Sequence, residues 1–437
     1  MSYYAIICTL KNVREHPNAD RIKLATLFGN QVVIGLNQYE GQRGIYFPTD
    51  GQLSEAFCTA NDLVRRKDPE TGEDKGGFFD ENRRVRAQKF RKEKSDGFWI
   101  PIESLEFTGV NLNSLQDGLQ FSSLNNIEIC CKYVSRSTRD SRGSSKNRTR
   151  RKSKNPMFKE HFDTAQYAYN KHKIPLYSVL YFTEKLHGTS GRMTYCKEER
   201  KLRWYEKIIN RFVPVKNYEW KNLTGTRRVE LNDLGNYKGF YKGSEFRKQW
   251  HDLLSGNLRK GETLYFEIVG WIDEKTPIMP ICNNKKLNDK EFVKRYGDTT
   301  TFSYGCPTGK SDIYIYRITM VNEDGHFVDL SWSAVKARCR ELGIKYVPEL
   351  RNPMFMEWDS EEEEQIQRDR LDKTVEEITE GGSLIDPLHI REGVVVRAEN
   401  NGESIYCLKH KSFPFKVLES IIKDTNVIDI EEAEDIL

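Results

Sequence analysis

The chain has 437 residues, of which 37% are apolar and 31% are charged, and its net charge is +4. At roughly 150 residues per domain, this length predicts two or three domains, and 22 Phe, 21 Tyr and 7 Trp exclude a disordered protein. Nine cysteines without a CxxC pair exclude a disulfide scaffold and a zinc ribbon, and no apolar run approaches the roughly 18 residues that cross a bilayer.

Residues 1–130 read as short β-strands broken by Gly, Asn and Asp: YAIICTL, IKLATLF, NQVVIGL, GIYFP and SDGFWIPI. Short strands at close spacing predict a small barrel or sandwich. The start, MSYYAIICTLK, has neither the basic region nor the cleavage site of a secretory signal, so a cytoplasmic protein is expected. The segment HPNADRI resembles the opening of OB-type tRNA-binding modules, which favours a barrel.

OB barrels commonly bind nucleic acid on a basic face that carries aromatic side chains. A basic stretch next to Phe90 and Trp99 fits this description, and a solvated basic loop is the alternative interpretation. The candidate nucleic-acid contacts are Arg84, Arg86, Lys89, Arg91 and Lys94.

Residues 131–155 are predicted to be a linker, because 136–154 reads RSTRDSRGSSKNRTRRKSK. Acidic stretches follow at 358–380 and at the end, IDIEEAEDIL. Separated charge blocks suit a protein that holds a polyanion, and solvated segments are the alternative.

Residues 156–437 mix strands with amphipathic helices. A helix is predicted over 156–173, a strand over 178–185, and helices in SEFRKQWHDLLSG, SAVKARCRELG and FKVLESIIKD. The absence of a regular βαβ rhythm favours an α+β fold with antiparallel sheets.

The stretch EKLHGTS (184–190) ends a strand at Lys185 and turns at Gly188, which makes a K-x-x-G motif. A lysine at such a hairpin tip can face a cleft. The motif alone is weak, because Lys94 also fits it, in the K-x-D-G form used by DNA ligases and capping enzymes. The residues that accompany each motif therefore decide between them.

Three further elements follow Lys185. Glu267 lies among apolar neighbours in YFEIVG, Glu392 stands at the mouth of the strand EGVVVR, and CLKHK places Lys409 and Lys411 on one strand face. Carboxylates can hold a divalent metal, and lysines on one face can neutralise an α-phosphate as charge builds on it. These side chains together predict nucleotidyl transfer.

The order of K-x-x-G, F-E-x-x-G, E-G-V-V-V-R and L-K-H-K resembles motifs I, III, IV and V of the covalent nucleotidyltransferases. EKLHGTS, with histidine in place of aspartate, is similar to the motif of the RNA ligase branch. With HPNADRI, YFPTDGQLSEAF and RVRAQKFRKEKSDGFWIP, nearly the whole chain resembles the Deinococcus-type RNA ligase family.

That resemblance implies an N-terminal OB-type β-barrel (1–130), the basic linker (131–155) and an ATP-grasp-like nucleotidyltransferase domain (156–437) with antiparallel sheets and flanking helices. It implies ATP-dependent joining of 3′-OH and 5′-phosphate ends through lysyl-AMP, with ATP and Mg²⁺ or Mn²⁺. The expected partner is a nicked RNA or RNA/DNA duplex, and the enzyme is expected to be monomeric and to make no membrane contact.

The resemblance also implies a role for each matched residue. Lys185 forms the bond to AMP. Glu267 and Glu392 match the metal- and ribose-side carboxylates, and Lys409 and Lys411 match the phosphate-binding pair. Further nucleotide contacts are implied for Glu184, Gly188, Ser190 and Tyr316, whose ring stacks on adenine.

Two motifs are interpreted as decoys. Lys94 has Trp99 where a K-x-D-G-x-R ligase needs arginine. GCPTGKS (305–311) imitates a P-loop, but only three residues separate its glycines and it leads into a strand, so a turn is predicted. His187 is predicted to shape the pocket.

Two other functions stay open at this stage. A capping-type guanylyltransferase shares the motifs but needs a C-terminal OB domain, for which too little chain follows Lys411. A non-catalytic RNA-binding protein, in which the OB module does the work, would form no covalent adduct.

Overall fold

The structure is a computed structural model that describes residues 3–67, 71–72, 74–135, 155–231, 234, 245–322, 324–400 and 405–424. The chain forms two compact units, Met1–Ser135 with Phe413–Asp424, and Arg136–Ser412 with Thr425–Leu437. The basic run 136–154 and the acidic end 428–437 lie outside the described residues. The domain boundaries at 130 and 156 stay a prediction.

Short antiparallel strands make up most of the regular secondary structure of the first unit. In Asn30–Gly35 every second residue is buried, as the alternation of side chains along a half-buried strand requires. The strands are β1 (Ala5–Thr9), β2 (Lys11–Glu15), β3 (Ile22–Leu27), β4 (Asn30–Gly35), β5 (Arg43–Phe47), β6 (Gly51–Leu53), β7 (Arg66–Lys67), β8 (Asp74–Lys75), β9 (Ala87–Phe90), β10 (Glu93–Asp96), β11 (Phe98–Pro101), β12 (Gln120–Phe121), β13 (Ser123–Leu124), β14 (Ile127–Glu128) and β15 (Cys130–Lys132).

Two sheets of the first unit have the strand orders β11-β5-β1-β12 and β2-β3-β4, and the other strands pair two by two. An apolar core that includes Ile7 and Phe47 lies against the four-stranded sheet, and Phe57 packs into the same core. Helix α1 (Glu55–Ala60) and 3₁₀ turns at Ile102–Thr108 and Leu112–Ser114 complete this part. The predicted strands are confirmed, but among the described residues no ladder closes them into the predicted barrel.

The second unit contains two larger sheets. Its strands are β16 (Ala165–Gln166), β17 (Ser178–Lys185), β18 (Thr189–Glu199), β19 (Tyr218–Gly225), β20 (Glu262–Gly270), β21 (Cys282–Asn283), β22 (Thr299–Thr300), β23 (Ser311–Val321), β24 (Phe327–Asp329), β25 (Lys345–Tyr346), β26 (Glu349–Met356), β27 (Gly393–Glu399) and β28 (Ile405–Lys411). One sheet has the order β16-β28-β27-β17-β26, and the other β19-β18-β20-β23-β24 with β25 beside β23. All nine residues of β20 are buried, including the charged Glu262 and Glu267.

Helices flank these sheets, which confirms the mixed α+β fold with antiparallel sheets. The helices are α2 (Tyr167–Asn170), α3 (Trp204–Ile209), α4 (Glu245–Leu254), α5 (Lys290–Tyr296), α6 (Trp332–Leu342) and α7 (Glu361–Thr379), with 3₁₀ turns at Lys171–Lys173 and Asn284–Leu287. Within the described parts of the chain, no helix combines the length and apolar character of a membrane span.

The helix predicted over 156–173 is wrong for most of that segment, since only α2 and the 3₁₀ turn after it are helical. Tertiary contacts hold the earlier part. The buried ring of Phe158 lies 4.2 Å from the Arg192 guanidinium carbon, and Arg192 donates a hydrogen bond to the Phe158 carbonyl (3.1 Å). These contacts outweigh the local helical pattern.

The last described helix, α8 (Phe413–Asp424), belongs to the first unit, although the sequence analysis assigns it to the second domain. Its Lys416 Nζ lies 2.5 Å from Asp96, and its Lys423 Nζ lies 3.2 Å from Asp50. The buried Arg84 donates to the carbonyl of Ser420 (3.0 Å). Polar contacts therefore hold α8 in the first unit.

Candidate active site

A cluster of charged side chains forms where three strands of the five-stranded sheet meet. Gly393 at the start of β27 lies opposite both Lys185 at the end of β17 and Lys411 at the end of β28. Directly opposed residues point to the same face of a sheet. Lys185 Nζ is 2.7 Å from Glu392 Oε1, and Lys411 Nζ is 3.3 Å from the same oxygen. Three of the predicted residues therefore share one site.

Two glycines permit the close packing around this cluster. A Cβ atom at Gly393 would lie 2.0 Å from the carbonyl oxygen of His410, and one at Gly188 would lie 2.3 Å from that of Ile268. Carbon–oxygen contacts in proteins are normally about 3.3 Å or longer. A larger residue at either position would therefore move the backbone.

A second group of predicted residues lies on the six-stranded sheet. Ser190 on β18 is the register partner of Glu267 on β20, and its hydroxyl donates to Glu267 Oε2 (3.4 Å). The pKa of Tyr316 on β23 is raised mainly by burial and next by the negative charge of Glu267. Glu267, Ser190 and Tyr316 are therefore neighbours. Arg247 on α4, which the sequence analysis missed, donates to the Ser190 carbonyl (3.1 Å).

The turn between β17 and β18 links the two groups. The His187 N–H donates to the Tyr304 hydroxyl (2.6 Å), and its ring packs edge-on against Phe302 at 4.8 Å. His187 Nδ1 is 3.8 Å from Glu392 Oε2. The ring of His389 in turn packs against Tyr304 at 4.6 Å. These contacts fix the backbone and the ring of His187 in the turn, and its pocket-shaping role stays a prediction.

Phe302, Tyr304 and His389 were missed by the sequence analysis because they lie in loops outside the recognised motifs. Asp386 fixes one loop against the other, since its Oδ2 accepts a hydrogen bond from the Gly305 N–H (3.0 Å). The only sequence cue was the aromatic residue directly before Gly305. The GCPTGKS stretch that follows forms turns before β23, as predicted.

Glu184 is buried beside the nucleophile candidate. Its Oε2 accepts a hydrogen bond from the Leu384 N–H (2.8 Å), whereas its Oε1 has no hydrogen-bond partner in the described structure. Burial raises the pKa of this carboxyl. A buried acceptor atom without a hydrogen bond is costly, so Glu184 Oε1 suits a donor on a ligand.

Lys409 lies two residues before Lys411 on β28, opposite Val395. Burial is the largest cause of the lowered pKa of His161, and Lys409 is one of several nearby cations that lower it further. The His161 ring in turn packs edge-on against Tyr316 at 5.0 Å. This chain of contacts brings Lys409 toward the region of Tyr316. His161 is another neighbour that no motif indicated.

A divalent cation fits these residues only together with a phosphate ligand. The described residues contain no group of three His, Cys, Asp or Glu that could hold a metal. Glu392 Oε2, however, is buried without a hydrogen bond in the same set of residues. Mg²⁺ and Mn²⁺ prefer carboxylate oxygens, and Mg²⁺ is often held by one or two carboxylates plus substrate phosphates. Glu392 and Glu267 are carboxylates of this kind, and their role as metal ligands stays a prediction.

The five basic candidates of the first unit differ in exposure. Arg84 is only 3% exposed, and its guanidinium carbon lies 4.5 Å from the Tyr133 ring centre. Because it also donates to the Ser420 carbonyl (3.0 Å), the prediction that Arg84 contacts nucleic acid is corrected to a structural role. Arg86 donates to Asp80 (2.9 Å).

The other three candidates are exposed on the β9–β10 hairpin or its turn: Lys89, Arg91 and Lys94. Lys89 and Lys94 are direct cross-strand partners. Directly opposed like charges destabilise a sheet, so this pair suits an anionic partner. Lys94 belongs to the first unit and Lys185 to the second, and the interpretation of Lys94 as a decoy stays a prediction.

Known proteins resemble this chain both in sequence and in structure. A family model described as RNA ligase matches residues 178–418, a span that contains every candidate of the Lys185 site. No curated protein matches the chain. An apo point mutant of Naegleria gruberi RNA ligase matches in structure with a TM-score of 0.57 and 15% identity, over 95% of this chain and 97% of that chain.

Two other solved structures of point mutants of the same Naegleria gruberi protein are similar. One, with ATP and Mn, has a TM-score of 0.56 and 15% identity, over 94% of this chain and 98% of that chain. The other, with AMP and Mn, has a TM-score of 0.57 and 16% identity, over 94% and 97%. At these identities the likeness concerns the fold.

Proposed function

Because this chain belongs to the RNA ligase family, we propose that it is an ATP-dependent enzyme of the Deinococcus type. It joins a 3′-OH to a 5′-phosphate, at nicks in duplexes whose 3′-OH strand is RNA, through a lysyl-AMP intermediate. The single observation that supports this most is the cluster of Lys185, Glu392 and Lys411, with 2.7 Å and 3.3 Å between the two lysines and one carboxylate oxygen.

Lys185 is the proposed nucleophile. An ammonium group has no lone pair, so Lys185 must lose a proton before it attacks the α-phosphorus of ATP. Glu392 Oε1 can accept that proton at 2.7 Å. A phosphorus–nitrogen bond then forms, and the bond to the leaving pyrophosphate breaks. Lys411, beside the same oxygen, disfavours a second cation at Lys185 and offers its charge to the phosphate.

The next two steps follow from the reactivity of the adduct. The 5′-phosphate of one strand attacks the phosphorus of lysyl-AMP, which frees Lys185 and forms a 5′–5′ pyrophosphate link. The 3′-OH of the other strand then attacks the 5′-phosphate, so the strands join and AMP leaves. Lys409 and Lys411 are proposed to hold the phosphates, and Tyr316 to stack on adenine.

Mg²⁺ or Mn²⁺ would be held by Glu267 and Glu392, and it would supply charge neutralisation at the α-phosphate. Glu184 Oε1, a buried acceptor without a hydrogen bond in the described structure, supports a contact with a donor group on the nucleotide. Ser190 and Gly188 are proposed to line the same pocket.

The first unit is proposed to be OB-type and to contact the duplex backbone through Lys89, Arg91 and Lys94. The facing lysines of the β9–β10 hairpin support this. All nine cysteines are free thiols, which supports a reducing compartment such as the cytoplasm. We propose that the enzyme acts as a monomer.

A labelling experiment tests the proposal. The protein is incubated with Mg²⁺ or Mn²⁺ and either α-labelled ATP or α-labelled GTP, then separated by denaturing electrophoresis, with chelator as the control. The expected result is a covalent adduct with ATP that chelator abolishes. Labelling by GTP instead would indicate a capping-type guanylyltransferase, and no adduct with either nucleotide would indicate a non-catalytic RNA-binding protein. A nicked duplex with an RNA 3′-OH strand, added to the unlabelled reaction, tests sealing.

A further inference from the structure

The connection between β18 and β19, residues 200–217, exposes large apolar side chains to solvent. Trp204 is 76% exposed and Phe212 is 82% exposed. Between them, Ile208 is 50% and Ile209 48% exposed, and Val213 is 60% exposed. Clustered exposed apolar residues of this kind mark interaction sites. We refer to residues 200–217 as the α3 loop.

The α3 loop nevertheless has a well-defined internal structure. Arg200 forms a two-pronged ion pair with Glu206, with both nitrogen–oxygen distances at 2.7 Å. Glu206 also accepts a hydrogen bond from the Arg203 N–H (2.8 Å), and Asn210 Oδ1 accepts one from the Val215 N–H (2.8 Å). Because these bonds tie the loop to its own ends, the apolar side chains are presented on a fixed backbone.

The charge of the α3 loop is strongly positive. Its 18 residues contain six basic residues and one acidic residue. The acid, Glu206, is paired with Arg200, so the cations around the exposed rings are not balanced by acids of the loop itself. Those cations are Lys201, Arg203, Lys207, Arg211 and Lys216.

Exposed aromatic rings among cations are the combination that binds unpaired nucleic-acid strands. Bases stack on the rings, and the cations attract the phosphates. A fully paired duplex hides the faces of its bases, so it would use the cations but not Trp204 or Phe212. We therefore propose that the α3 loop binds an unpaired RNA segment of the substrate, a proposal that rests on the ligase function proposed above.

The position of the loop along the chain defines where that segment lies. β18 starts at Thr189, four residues after Lys185, and ends at Glu199. At about 3.3 Å per residue, its eleven residues extend roughly 35 Å from the reaction site to the loop. The preferred substrate thus carries unpaired ribonucleotides roughly 35 Å from the joined phosphate, which is about ten nucleotide steps or more in a duplex whose strands rise at most about 3.4 Å per step.

The test uses the full chain with Trp204→Ala and Phe212→Ala combined. The matched control is Ile366→Ala, which removes an apolar side chain that is 60% exposed on the acidic helix α7. Binding of a fluorescein-labelled 12-nucleotide oligo(U) is followed by fluorescence anisotropy without ATP. Stacking on two rings predicts at least tenfold weaker binding in the double variant, and unchanged binding in the control.

A second variant tests the electrostatic part. Lys207→Gln with Arg211→Gln should reduce the slope of log affinity against log salt by about one to two. Sealing is then compared on two nicked duplexes, one fully paired and one with an unpaired RNA extension beginning about ten nucleotides from the nick. The ring variant should lose the preference for the extended duplex while it forms the ATP adduct at the wild-type rate.

Several results would overturn the proposal. One is wild-type oligo(U) affinity in the ring variant, and another is equal weakening in Ile366→Ala. Two further assays identify other occupants. If the wild type pellets with phosphatidylserine vesicles and the ring variant does not, while oligo(U) binding persists, the loop binds a membrane. If the wild type self-associates in sedimentation velocity and the ring variant does not, while oligo(U) binding persists, the loop binds a second copy of the chain. Absence of an ATP adduct in the wild type would refute the ligase function, whereas oligo(U) binding would still report on the loop.

Discussion

Replacing Gly188 by alanine is expected to slow formation of lysyl-AMP about a hundredfold while the chain still folds. The added Cβ would meet the Ile268 carbonyl oxygen at 2.3 Å and Glu267 Cγ at 3.0 Å. The first contact is about 1 Å shorter than a carbon–oxygen contact allows, so the turn after Lys185 must move away from β20 by roughly that amount. A displacement of about 1 Å at a reacting group costs on the order of 10²-fold in rate.

The assay is the rate of adduct formation with α-labelled ATP, quenched at intervals and resolved by denaturing electrophoresis. Gly35→Ala is the matched control, because a Cβ there would meet only the Gln38 side chain, at 3.6 Å or more. Thermal unfolding of both variants verifies that they are folded. A folded Gly188→Ala protein that labels as fast as the wild type would refute the argument that this turn determines the position of the nucleophile.

Three other predictions use the same protein. Lys185→Ala should abolish the ATP adduct and Lys94→Ala should preserve it on the same gel, and the reverse pattern would overturn the motif assignment. Arg338→Ala should lower the free energy of unfolding by about 3–5 kcal/mol in urea titrations, because it leaves the buried Glu262 without its partner at 2.7 Å; a loss below 1 kcal/mol would contradict this. Burial raises the pKa of Glu184 above its ordinary 4.5, so the native state binds that proton more tightly and stability falls as the pH rises from 4.5 through the folded-state pKa. Glu184→Gln should flatten that part of the stability curve, and an unchanged curve would exclude Glu184 as its source.

The proximity of Lys185, Glu392 and Lys411 could be predicted from sequence because it depends on strands whose ends are marked in their own residues. The strand predicted over 178–185 is β17, and the helices predicted near 244–256 and 333–343 are α4 and α6. Lys185, Gly393 and Lys411 stand at strand ends, and the ladder then aligns them. The residues of a short apolar strand next to a glycine are enough to predict where that strand ends.

The rest of the site depends on loops whose paths are decided by distant contacts. Tyr304 reaches His187 because Asp386 holds the N–H of Gly305, 81 positions away in sequence. The segment 156–173 has the apolar spacing of a helix, but Phe158 packs on Arg192 instead. Periodicity indicates which side of a segment is apolar, but it does not indicate which residues that side will pack against in the folded protein.

Helix α8 has a consequence for how the protein is made. The ribosome releases Ser135 long before Phe413, and at roughly 5–20 residues per second the chain between them takes tens of seconds to synthesise. During that interval Arg84 and Asp96 lack Ser420 and Lys416, the groups that they contact in the finished structure. The first unit to leave the ribosome is thus completed only after residues 136–412 have been synthesised, and until then a nascent chain must protect the surface that α8 covers from other molecules.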